Sequence, residues 1–236
     1  MITKLIKAPV CEIFESIQGE GPNIGVPTTF IRFFGCNLRC QFDGESCDTP
    51  YSVIKDGKVT MYTPHSLYRE IRENKSELIT FTGGEPMLYQ EFMEAFMRVV
   101  SNERRRNYSY EVETNGTVAP TDYVYVNCNF NISVKLKSSY QKSRMYDKRR
   151  VNYKALNAYP ENRSHFKFVY VEREDIYEIM KILNKTEIKS VYLMPQGITR
   201  NEIVKNSPMV VNYCMEHNWT FCPREHIIIW NNKKGV

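Results

Sequence analysis

The sequence predicts an α/β fold, in which a mostly parallel sheet forms a partial barrel of the (β/α)6 type within a single domain. Short apolar runs typical of buried strands alternate with stretches whose apolar residues recur at helical spacing. No internal repeat and no shift in composition divides residues 1–236. About six β/α units fit a partial barrel better than a closed barrel of eight.

The elements of the N-terminal half follow in order. Residues 28–34 predict a buried strand that leads into a loop with three cysteines. A helix begins after Thr63 and Pro64, and a second buried strand at 77–82 ends at two glycines. The next helix is the clearest, because one face carries a series of apolar residues: Leu88, Phe92, Ala95, Phe96, Val99 and Val100.

The C-terminal half continues the alternation. Polar residues at 138–163 predict an irregular excursion, and residues 220–230 are expected to close the core with one or two strands. The strands between are predicted at 110–114, 131–136, 165–171 and 190–195, and the helices at 174–183 and through Val210, Val211 and Cys214.

Composition excludes several classes of protein. A hydrophobic content of 42% with 11 glycines and 11 prolines excludes disordered and collagen-like chains. No apolar run approaches the roughly 18 residues of a membrane span, and the N-terminus lacks a signal-peptide layout, so we expect a soluble, cytoplasmic protein without a membrane partner. Lys and Arg number 32 and Asp and Glu 27, which leaves a net charge of +5. The basic stretch at 135–150 fits a solvated loop, or contact with an anionic substrate or RNA; we expect no nucleic-acid partner.

The seven cysteines divide into two groups. Four lie among apolar neighbours and are predicted to be buried: Cys11, Cys128, Cys214 and Cys222. The other three, Cys36, Cys40 and Cys47, lie close together after the first predicted strand. A structural zinc ion wants four ligands, whereas three thiolates on one loop suit a cubane iron–sulfur cluster with one iron left open. Zinc and unliganded thiols remain the alternatives.

A second motif follows the cysteines. TGGEP at 82–86 lies at the end of the next buried strand, and its order after GCNLRC at 35–40 resembles the radical S-adenosylmethionine superfamily. That superfamily usually has C-x3-C-x2-C, whereas this chain has C-x3-C-x6-C, which is four residues longer between Cys40 and Cys47. An insertion into an exposed loop costs little stability.

The TGGEP residues also have a direct physical reading. Gly83 and Gly84 permit a backbone to approach a bound ligand closely. Glu85 would offer a carboxylate to an ammonium group at the carboxyl ends of parallel strands, where α/β sites gather. A strand-to-helix turn without a ligand is the alternative.

Five further segments narrow the resemblance. SIQGEG at 16–21, FIRFFGC at 30–36, CDT at 47–49, ETNGT at 113–117 and PREHIIIWNNKKGV at 223–236 resemble the 7-carboxy-7-deazaguanine synthase family. The resemblance implies a lyase that converts 6-carboxy-5,6,7,8-tetrahydropterin to 7-carboxy-7-deazaguanine with loss of ammonia, towards queuosine-type nucleosides. It also implies a [4Fe-4S] cluster, S-adenosylmethionine, Mg²⁺, a homodimer and an external one-electron donor such as a flavodoxin.

The resemblance also implies roles for particular residues. The cluster would be held by Cys36, Cys40 and Cys47, and Mg²⁺ by Thr49. The residues that would bind S-adenosylmethionine are Ser46, Asp48, Gly84, Glu85, Ser133, Lys135, Met194, Pro195, Gln196 and Gly197. Those that would bind the pterin are Ile17, Gln18, Gly19, Glu20, Arg32, Thr82 and Glu113.

Some of these roles have a physical basis in the residues themselves. The guanidinium of Arg32 can grip a substrate carboxylate in a fork, and a lone arginine in an apolar strand wants an anionic partner. A salt bridge is the alternative. Glu20 and Glu113 either bond the guanidine-like edge of the pterin or cap turns, and His226 is expected to be a core or wall residue.

Two other classes of protein remain open. A glycyl-radical enzyme activase is also a small radical enzyme with a CNLRC-like loop, but it acts on a protein glycine and does not need a pterin pocket. A non-catalytic metal- or RNA-binding module would hold zinc, and its RNA affinity would fall steeply with salt.

Overall fold

The structure is a computed structural model that describes residues 6–42, 45–47, 49–53, 58–103, 105–139, 148–231, 233 and 235, without the side chains of residues 41, 42, 45 and 46. The strands are β1 (Ala8–Ile17), β2 (Pro27–Phe33), β3 (Gln41–Phe42), β4 (Glu45–Ser46), β5 (Thr60–Tyr62), β6 (Leu78–Gly83), β7 (Ser109–Thr114), β8 (Cys128–Ser133), β9 (Ser164–Tyr170), β10 (Val191–Pro195) and β11 (Thr220–Phe221). The helices are α1 (Pro64–Ile71), α2 (Gln90–Glu103), α3 (Asp122–Asn127), α4 (Tyr153–Leu156), α5 (Arg173–Leu183), α6 (Arg200–His217) and α7 (Glu225–Trp230).

One large sheet organises the described residues. Its strand order is β11-β10-β9-β8-β7-β6-β2-β1-β5. All neighbours from β2 to β11 pair in parallel, whereas β1 is antiparallel to both β2 and β5. The sheet ends at β5 and β11 and does not close. The predicted α/β class and the open, mostly parallel sheet are therefore confirmed.

The two faces of the sheet differ in polarity. Alternate residues such as Ile31, Phe81 and Val112 point to one face, where they form a buried core with residues of α1 and α2. The residues between them form what we call the polar face. It carries Arg32, Thr80, Thr82, Glu111, Glu113, Asn131, Ser133 and Lys167. A polar sheet face beside an apolar core points to a ligand site, because unpaired buried polar groups cost stability.

Local signals explain the helix that follows the cysteine loop. Thr63 accepts a hydrogen bond from the backbone of Ser66, Ser66 reciprocates, and Pro64 occupies the first turn of α1. This arrangement confirms the predicted start of the helix. In the next predicted helix, Leu88 is 46% exposed rather than buried, since residues 86–89 form a tighter 3-10 turn before α2 begins.

The C-terminal end departs from the prediction. Residues 220–230 contain a two-residue strand, β11, and then the helix α7 rather than a second strand. The helix begins beside the loop after β1, where the backbone N–H of Glu225 donates to the carbonyl oxygen of Gly19 over 2.9 Å. This tertiary contact overrides the strand propensity of the three consecutive isoleucines.

Three further features of the fold differ from the prediction. β8 occupies Cys128–Ser133 rather than 131–136, because α3 leads directly into it. β1, which pairs with β2, was not predicted. The excursion at 138–163 contains α4, whose Leu156 is buried, while residues 140–147 lie outside the described residues. Among the described residues, no helix has the length and apolarity to cross a membrane.

Candidate active site at the carboxyl ends of the strands

The cysteine loop follows β2. Cys36, Cys40 and Cys47 are each half-buried, and none of the seven cysteines, all of which are described, forms a disulfide. The backbone N–H of Cys47 donates to the carbonyl oxygen of Cys40 over 3.1 Å, and the N–H of Leu38 donates to Cys36 Sγ over 3.3 Å. Cys11 is also half-buried, whereas Cys128, Cys214 and Cys222 are buried as predicted.

The two glycines of TGGEP allow β6 to pack against this loop. A Cβ atom on Gly84 would lie 2.1 Å from the carbonyl oxygen of Gly35, and one on Gly83 would lie 2.2 Å from that of Phe33. The N–H of Glu85 donates to the same Gly35 oxygen over 2.8 Å. The close approach that the glycines permit is therefore to the cysteine loop. An approach to a bound ligand stays a prediction.

Glu85 connects β6 to the turn after β7. Its side chain is fully buried and accepts hydrogen bonds from Met87 N (3.0 Å), Thr114 Oγ1 (2.7 Å) and Asn115 N (2.8 Å). Burial raises the pKa of this carboxyl. Glu85 therefore holds the ETNGT turn in place, and its predicted contact with an ammonium group stays a prediction.

The ETNGT turn, which Glu85 holds, contacts the first cysteine of the loop. Asn115 Nδ2 lies 3.8 Å from Cys36 Sγ and 2.9 Å from Asn37 Oδ1. Asn37 Nδ2 in turn donates to Thr117 Oγ1 over 2.7 Å. Three consecutive parallel strands, β2, β6 and β7, thus meet around Cys36 at their carboxyl ends.

The donor set of the loop fits an iron–sulfur cluster. Three thiols lie on one short loop, and Cys36 and Cys47 are close enough for the charge of one to raise the pKa of the other. In the described part of the chain, no three His, Cys, Asp or Glu side chains converge as a single metal ion requires. A cubane cluster with one open iron takes one thiolate on each of its other three irons, and the loop supplies three thiols. The residues present therefore fit a cluster with three protein ligands.

The predicted magnesium and nucleoside contacts lie on the same loop. Thr49 Oγ1 is 3.6 Å from Cys47 Sγ. Ser46 lies in β4 but its side chain is outside the described residues, as is the whole of Asp48. The roles of these three residues stay predictions.

The end of β8 adds a cation to this group. Lys135 Nζ donates to Ser133 Oγ over 2.8 Å, which brings together the two residues predicted to bind the cofactor. The positive charge of Lys135 acts to lower the pKa values of Cys36 and Glu85, although burial raises both overall. A cation at this position favours bound anionic groups.

Arg32 has a partner within the chain. Its Nε donates to Glu12 Oε2 over 2.8 Å, and Tyr51 OH donates to the same oxygen over 3.1 Å. The salt bridge given as the alternative is therefore present, since Glu12 lies opposite Arg32 on β1, and the predicted grip on a substrate carboxylate stays a prediction. Among the described residues, only Nε of the guanidinium has a hydrogen-bond partner, so its two terminal nitrogens can donate to a further acceptor.

Gln18 links two carboxyl groups on the polar face. Its Nε2 donates to Glu111 and also to Glu113 Oε1, the latter over 3.1 Å. Asn23 Nδ2 donates to the other oxygen of Glu111 over 2.5 Å, and Thr82 Oγ1 donates to Glu113 Oε2 over 2.7 Å. Both the side chain and the backbone of Gln18 are hydrogen-bonded within the chain, and its predicted contact with the pterin stays a prediction. Glu111 is a site residue that the sequence did not reveal.

Glu111 is buried and has an unusual pKa. Burial, and then the charge of Glu113, raises the pKa of Glu111 from 4.5 to about 7, although Asn23 and Gln18 both donate to it. The two carboxyl groups share one amide donor, so ionisation of Glu111 would bring its negative charge close to Glu113.

Glu20 is the centre of a buried ion cluster. Lys167 Nζ donates to its Oε2, and Arg224 Nε donates to its Oε1 over 2.8 Å. The two cations hold the pKa of Glu20 well below its usual range despite burial. Each oxygen of the Glu20 carboxylate thus accepts from one cation, which accounts for its burial, while a bond from Glu20 to the pterin stays a prediction.

The ion cluster fixes the loop after β1 and the C-terminal segment. Arg224 Nη1 also donates to the carbonyl oxygen of Gly197 over 2.8 Å, which brings the predicted Met194–Gly197 segment to this cluster. Met194 and Pro195 are buried at the end of β10, and Gln196 N donates to Tyr170 O over 3.1 Å.

Gly19 and Ile17 border the same region. A Cβ on Gly19 would lie 2.1 Å from His226 Nδ1, so glycine is required for α7 to pack here. His226 thus forms a wall of the site, as expected. Ile17 ends β1 opposite Pro27. The predicted pterin contacts of Gly19 and Ile17 stay predictions.

Comparisons with known proteins agree with this geometry. The sequence profile of the Radical SAM superfamily matches residues 30–206. The 7-carboxy-7-deazaguanine synthase of Halobacterium salinarum is 30% identical, over 95% of this chain and 91% of the relative. That of Clostridium acetobutylicum is 32% identical, over 96% of this chain and 98% of the relative. The crystal structure of QueE from Escherichia coli shares the fold, with a TM-score of 0.70 and 21% sequence identity over 93% of this chain and 95% of that one.

The matched residues include the functional loops. The superfamily match begins in β2 and covers the cysteine loop, TGGEP and ETNGT. The synthase matches extend over nearly the whole chain. The chain therefore belongs to the radical S-adenosylmethionine superfamily and, within it, to the family of 7-carboxy-7-deazaguanine synthases.

Proposed function

We propose that this chain is a lyase that converts 6-carboxy-5,6,7,8-tetrahydropterin to 7-carboxy-7-deazaguanine with loss of ammonia, for the synthesis of queuosine-type nucleosides. One observation carries the proposal: Arg32 lies in β2, and the cysteine loop follows directly from the end of that strand. This arrangement would bring the radical cofactor next to the substrate carboxylate.

The cofactor half of the proposed site lies on the loops. Cys36, Cys40 and Cys47 would hold the [4Fe-4S] cluster, and Gly84 and Lys135 border the space beside it. When bound, the cluster and S-adenosylmethionine would supply a 5′-deoxyadenosyl radical that removes a hydrogen atom from the pterin. Burial of Glu85 and Asn115 behind the loop excludes water from that side.

The substrate half lies on the polar face. The terminal nitrogens of Arg32 would bind the pterin carboxylate in a fork. Glu113, which is half-buried and oriented by Thr82 and Gln18, would accept from the guanidine-like edge. Glu20 would support this half of the site, because its ion pairs hold the Gln18–Gly19 turn against the sheet.

Further parts of the proposal follow from the family rather than from contacts. Thr49 would supply an oxygen to Mg²⁺, which prefers oxygen ligands. A flavodoxin-type protein would supply the electron, and two copies of the chain would form a homodimer. We propose a cytoplasmic enzyme with neither a nucleic-acid nor a membrane partner.

An anaerobic turnover experiment tests the proposal. The protein is reconstituted with iron and sulfide and mixed with dithionite, Mg²⁺, S-adenosylmethionine and 6-carboxytetrahydropterin. Mass spectrometry should detect 7-carboxy-7-deazaguanine, and the product should vanish when S-adenosylmethionine is omitted.

Other outcomes point to other functions. Cleavage of S-adenosylmethionine to 5′-deoxyadenosine without product would reject the pterin and favour another radical enzyme, such as a glycyl-radical enzyme activase. Such an activase would also be captured with a large reductase in a pulldown. Zinc in the purified protein, with neither product nor cleavage, would reject the radical reaction and favour a metal- or RNA-binding module.

A further inference from the structure

Asn115 lies directly behind the first cysteine of the loop. Its side-chain Nδ2 is 3.8 Å from Cys36 Sγ and 2.9 Å from Asn37 Oδ1, so each of its two N–H groups has one acceptor. Asn115 is 6% exposed, and bulk water therefore does not compete for these bonds.

The orientation of this amide is fixed by its other end. Asn115 Oδ1 accepts from Thr117 N over 3.0 Å and from Thr117 Oγ1 over 2.6 Å. A flipped amide would place its N–H groups against the Thr117 N–H, which cannot accept a hydrogen bond. The backbone N–H of Asn115 is also held, by Glu85 Oε2 at 2.8 Å. Nδ2 must therefore face the sulfur.

Asn115, Asn37 and Thr117 form a closed ring of hydrogen bonds. Asn115 donates to Asn37, Asn37 donates to Thr117 Oγ1, and Thr117 donates back to Asn115. The N–H that is not used in the ring points at Cys36 Sγ. With Leu38 N at 3.3 Å, two N–H groups thus face this one sulfur.

Hydrogen bonds to cysteine sulfur change the energy of an iron–sulfur cluster. Reduction adds one electron and makes the thiolate sulfurs more negative, so an N–H donor stabilises the reduced state more than the oxidised state. Removal of the donor therefore lowers the reduction potential.

We propose that Asn115 is a positioning residue that raises the reduction potential of the cluster through its Nδ2–H···Sγ bond to Cys36. The electron comes from the external one-electron donor, and in this step no covalent bond forms or breaks. The inference rests on the three-cysteine cluster of the proposed function and not on the identity of the substrate.

Two substitutions of Asn115 separate the effect of the hydrogen bond on the reduction potential from the effect of charge. Asn115→Asp replaces the NH₂ group by oxygen in a side chain of nearly the same shape, and Asn115→Leu removes the donor without adding charge. The midpoint potential of the reconstituted cluster is measured in an EPR-monitored redox titration without S-adenosylmethionine, together with the iron and sulfide content. Both variants should retain the cluster and shift the midpoint to more negative values, Asp further than Leu.

Thr117→Val is the matched control. It opens the ring but leaves Asn115 and the Thr117 N–H that orients its amide, so the midpoint should stay at the wild-type value. A wild-type midpoint in both Asn115 variants would overturn the proposal, as would a shift in Thr117→Val as large as that in Asn115→Leu. Loss of the cluster from both Asn115 variants would overturn it as well, because Asn115 would then hold the loop rather than tune its sulfur. If the midpoint potential shifts in the Asn115 variants but the wild-type protein does not turn over the pterin, this inference stands and only the proposed substrate is rejected.

Discussion

Arg32 and Glu12 lie opposite each other on β2 and β1, and Arg32 Nε donates to Glu12 Oε2 over 2.8 Å. The guanidinium carbon lies 5.8 Å from the ring centres of Phe14 and Tyr51. Glu12 holds the arginine by the edge that carries Nε, which leaves the terminal nitrogens for a planar anion.

Arg32 is expected to determine the affinity for the carboxylated pterin. Arg32→Met removes a charge-assisted hydrogen bond, whose value of about 1.5–3 kcal/mol corresponds to a rise in KM of about 10- to 150-fold. Steady-state kinetics under anaerobic conditions measure this rise. Arg98→Met, on the exposed side of α2, is the control and should leave KM unchanged. An unchanged KM in Arg32→Met would remove Arg32 from the substrate site.

The residues of the buried ion cluster around Glu20 are expected to contribute unequally to the stability of the fold. Glu20→Gln leaves two buried cations without their carboxylate and should lower the free energy of unfolding by about 3–5 kcal/mol. Lys167→Met should cost less, because Glu20 keeps Arg224. Urea unfolding measures both values. The double variant should be no less stable than Glu20→Gln alone, and equal losses in the two single variants would contradict the arrangement.

Glu111 is expected to make stability fall as the pH rises. Its pKa is about 7 in the folded chain against 4.5 for the ordinary group, so the folded state holds a proton that the unfolded state has lost between these values. The free energy of unfolding should therefore decrease through this window, by up to about 1.4 kcal/mol per pH unit, and be unaffected by this group below pH 4.5. Urea titrations at several pH values measure the slope.

The matched variant is Glu111→Gln, whose uncharged amide resembles the protonated carboxyl and whose one oxygen can accept from either Gln18 or Asn23. Its stability should fall less steeply between pH 4.5 and 7 than that of the wild type. If both proteins show the same slope, Glu111 is ionised throughout.

Gly84 is expected to be required for cluster assembly. An alanine Cβ would lie 2.1 Å from the backbone oxygen of Gly35, so Gly84→Ala must push β6 away from the cysteine loop. Iron content after reconstitution should fall, and overpacking should cost about 1–3 kcal/mol of stability. In Gly25→Ala, the added Cβ meets nothing within 4 Å, although φ there is +84°. Iron content that falls equally in both variants would show that backbone strain, and not contact with the loop, is responsible.

The fold was largely predictable from sequence because its strands are short apolar runs with little ambiguity. Phe30, Ile31 and Phe33 are buried in β2, and Leu78 to Phe81 are buried in the neighbouring parallel strand β6, as their composition indicated. The strand β1 was harder to identify, since it follows from pairing with β2 and not from its own pattern.

The site residues that belong to sequence motifs were predictable, whereas those whose role depends on contacts between distant segments of the chain were not. Cys36 and Glu85 stand in recognisable motifs, and the structure brings their loops together. Glu111 was missed because its partners, Gln18 and Asn23, are 93 and 88 residues away in the chain. Lys167 was missed although a lysine in a strand such as HFKFVYV is unusual, since only the fold shows that Glu20 faces it.

Anaerobic turnover in three matched proteins tests the central claim most directly, because it separates the cofactor half of the site from the substrate half. Wild type, Cys47→Ala and Arg32→Met receive iron, sulfide, dithionite, Mg²⁺, S-adenosylmethionine and 6-carboxytetrahydropterin at a fixed concentration below the wild-type KM. Both 7-carboxy-7-deazaguanine and 5′-deoxyadenosine are counted by mass spectrometry. Cys47→Ala should form neither, and Arg32→Met should form 5′-deoxyadenosine with little deazaguanine. Product from Cys47→Ala, or full product from Arg32→Met, would contradict the account.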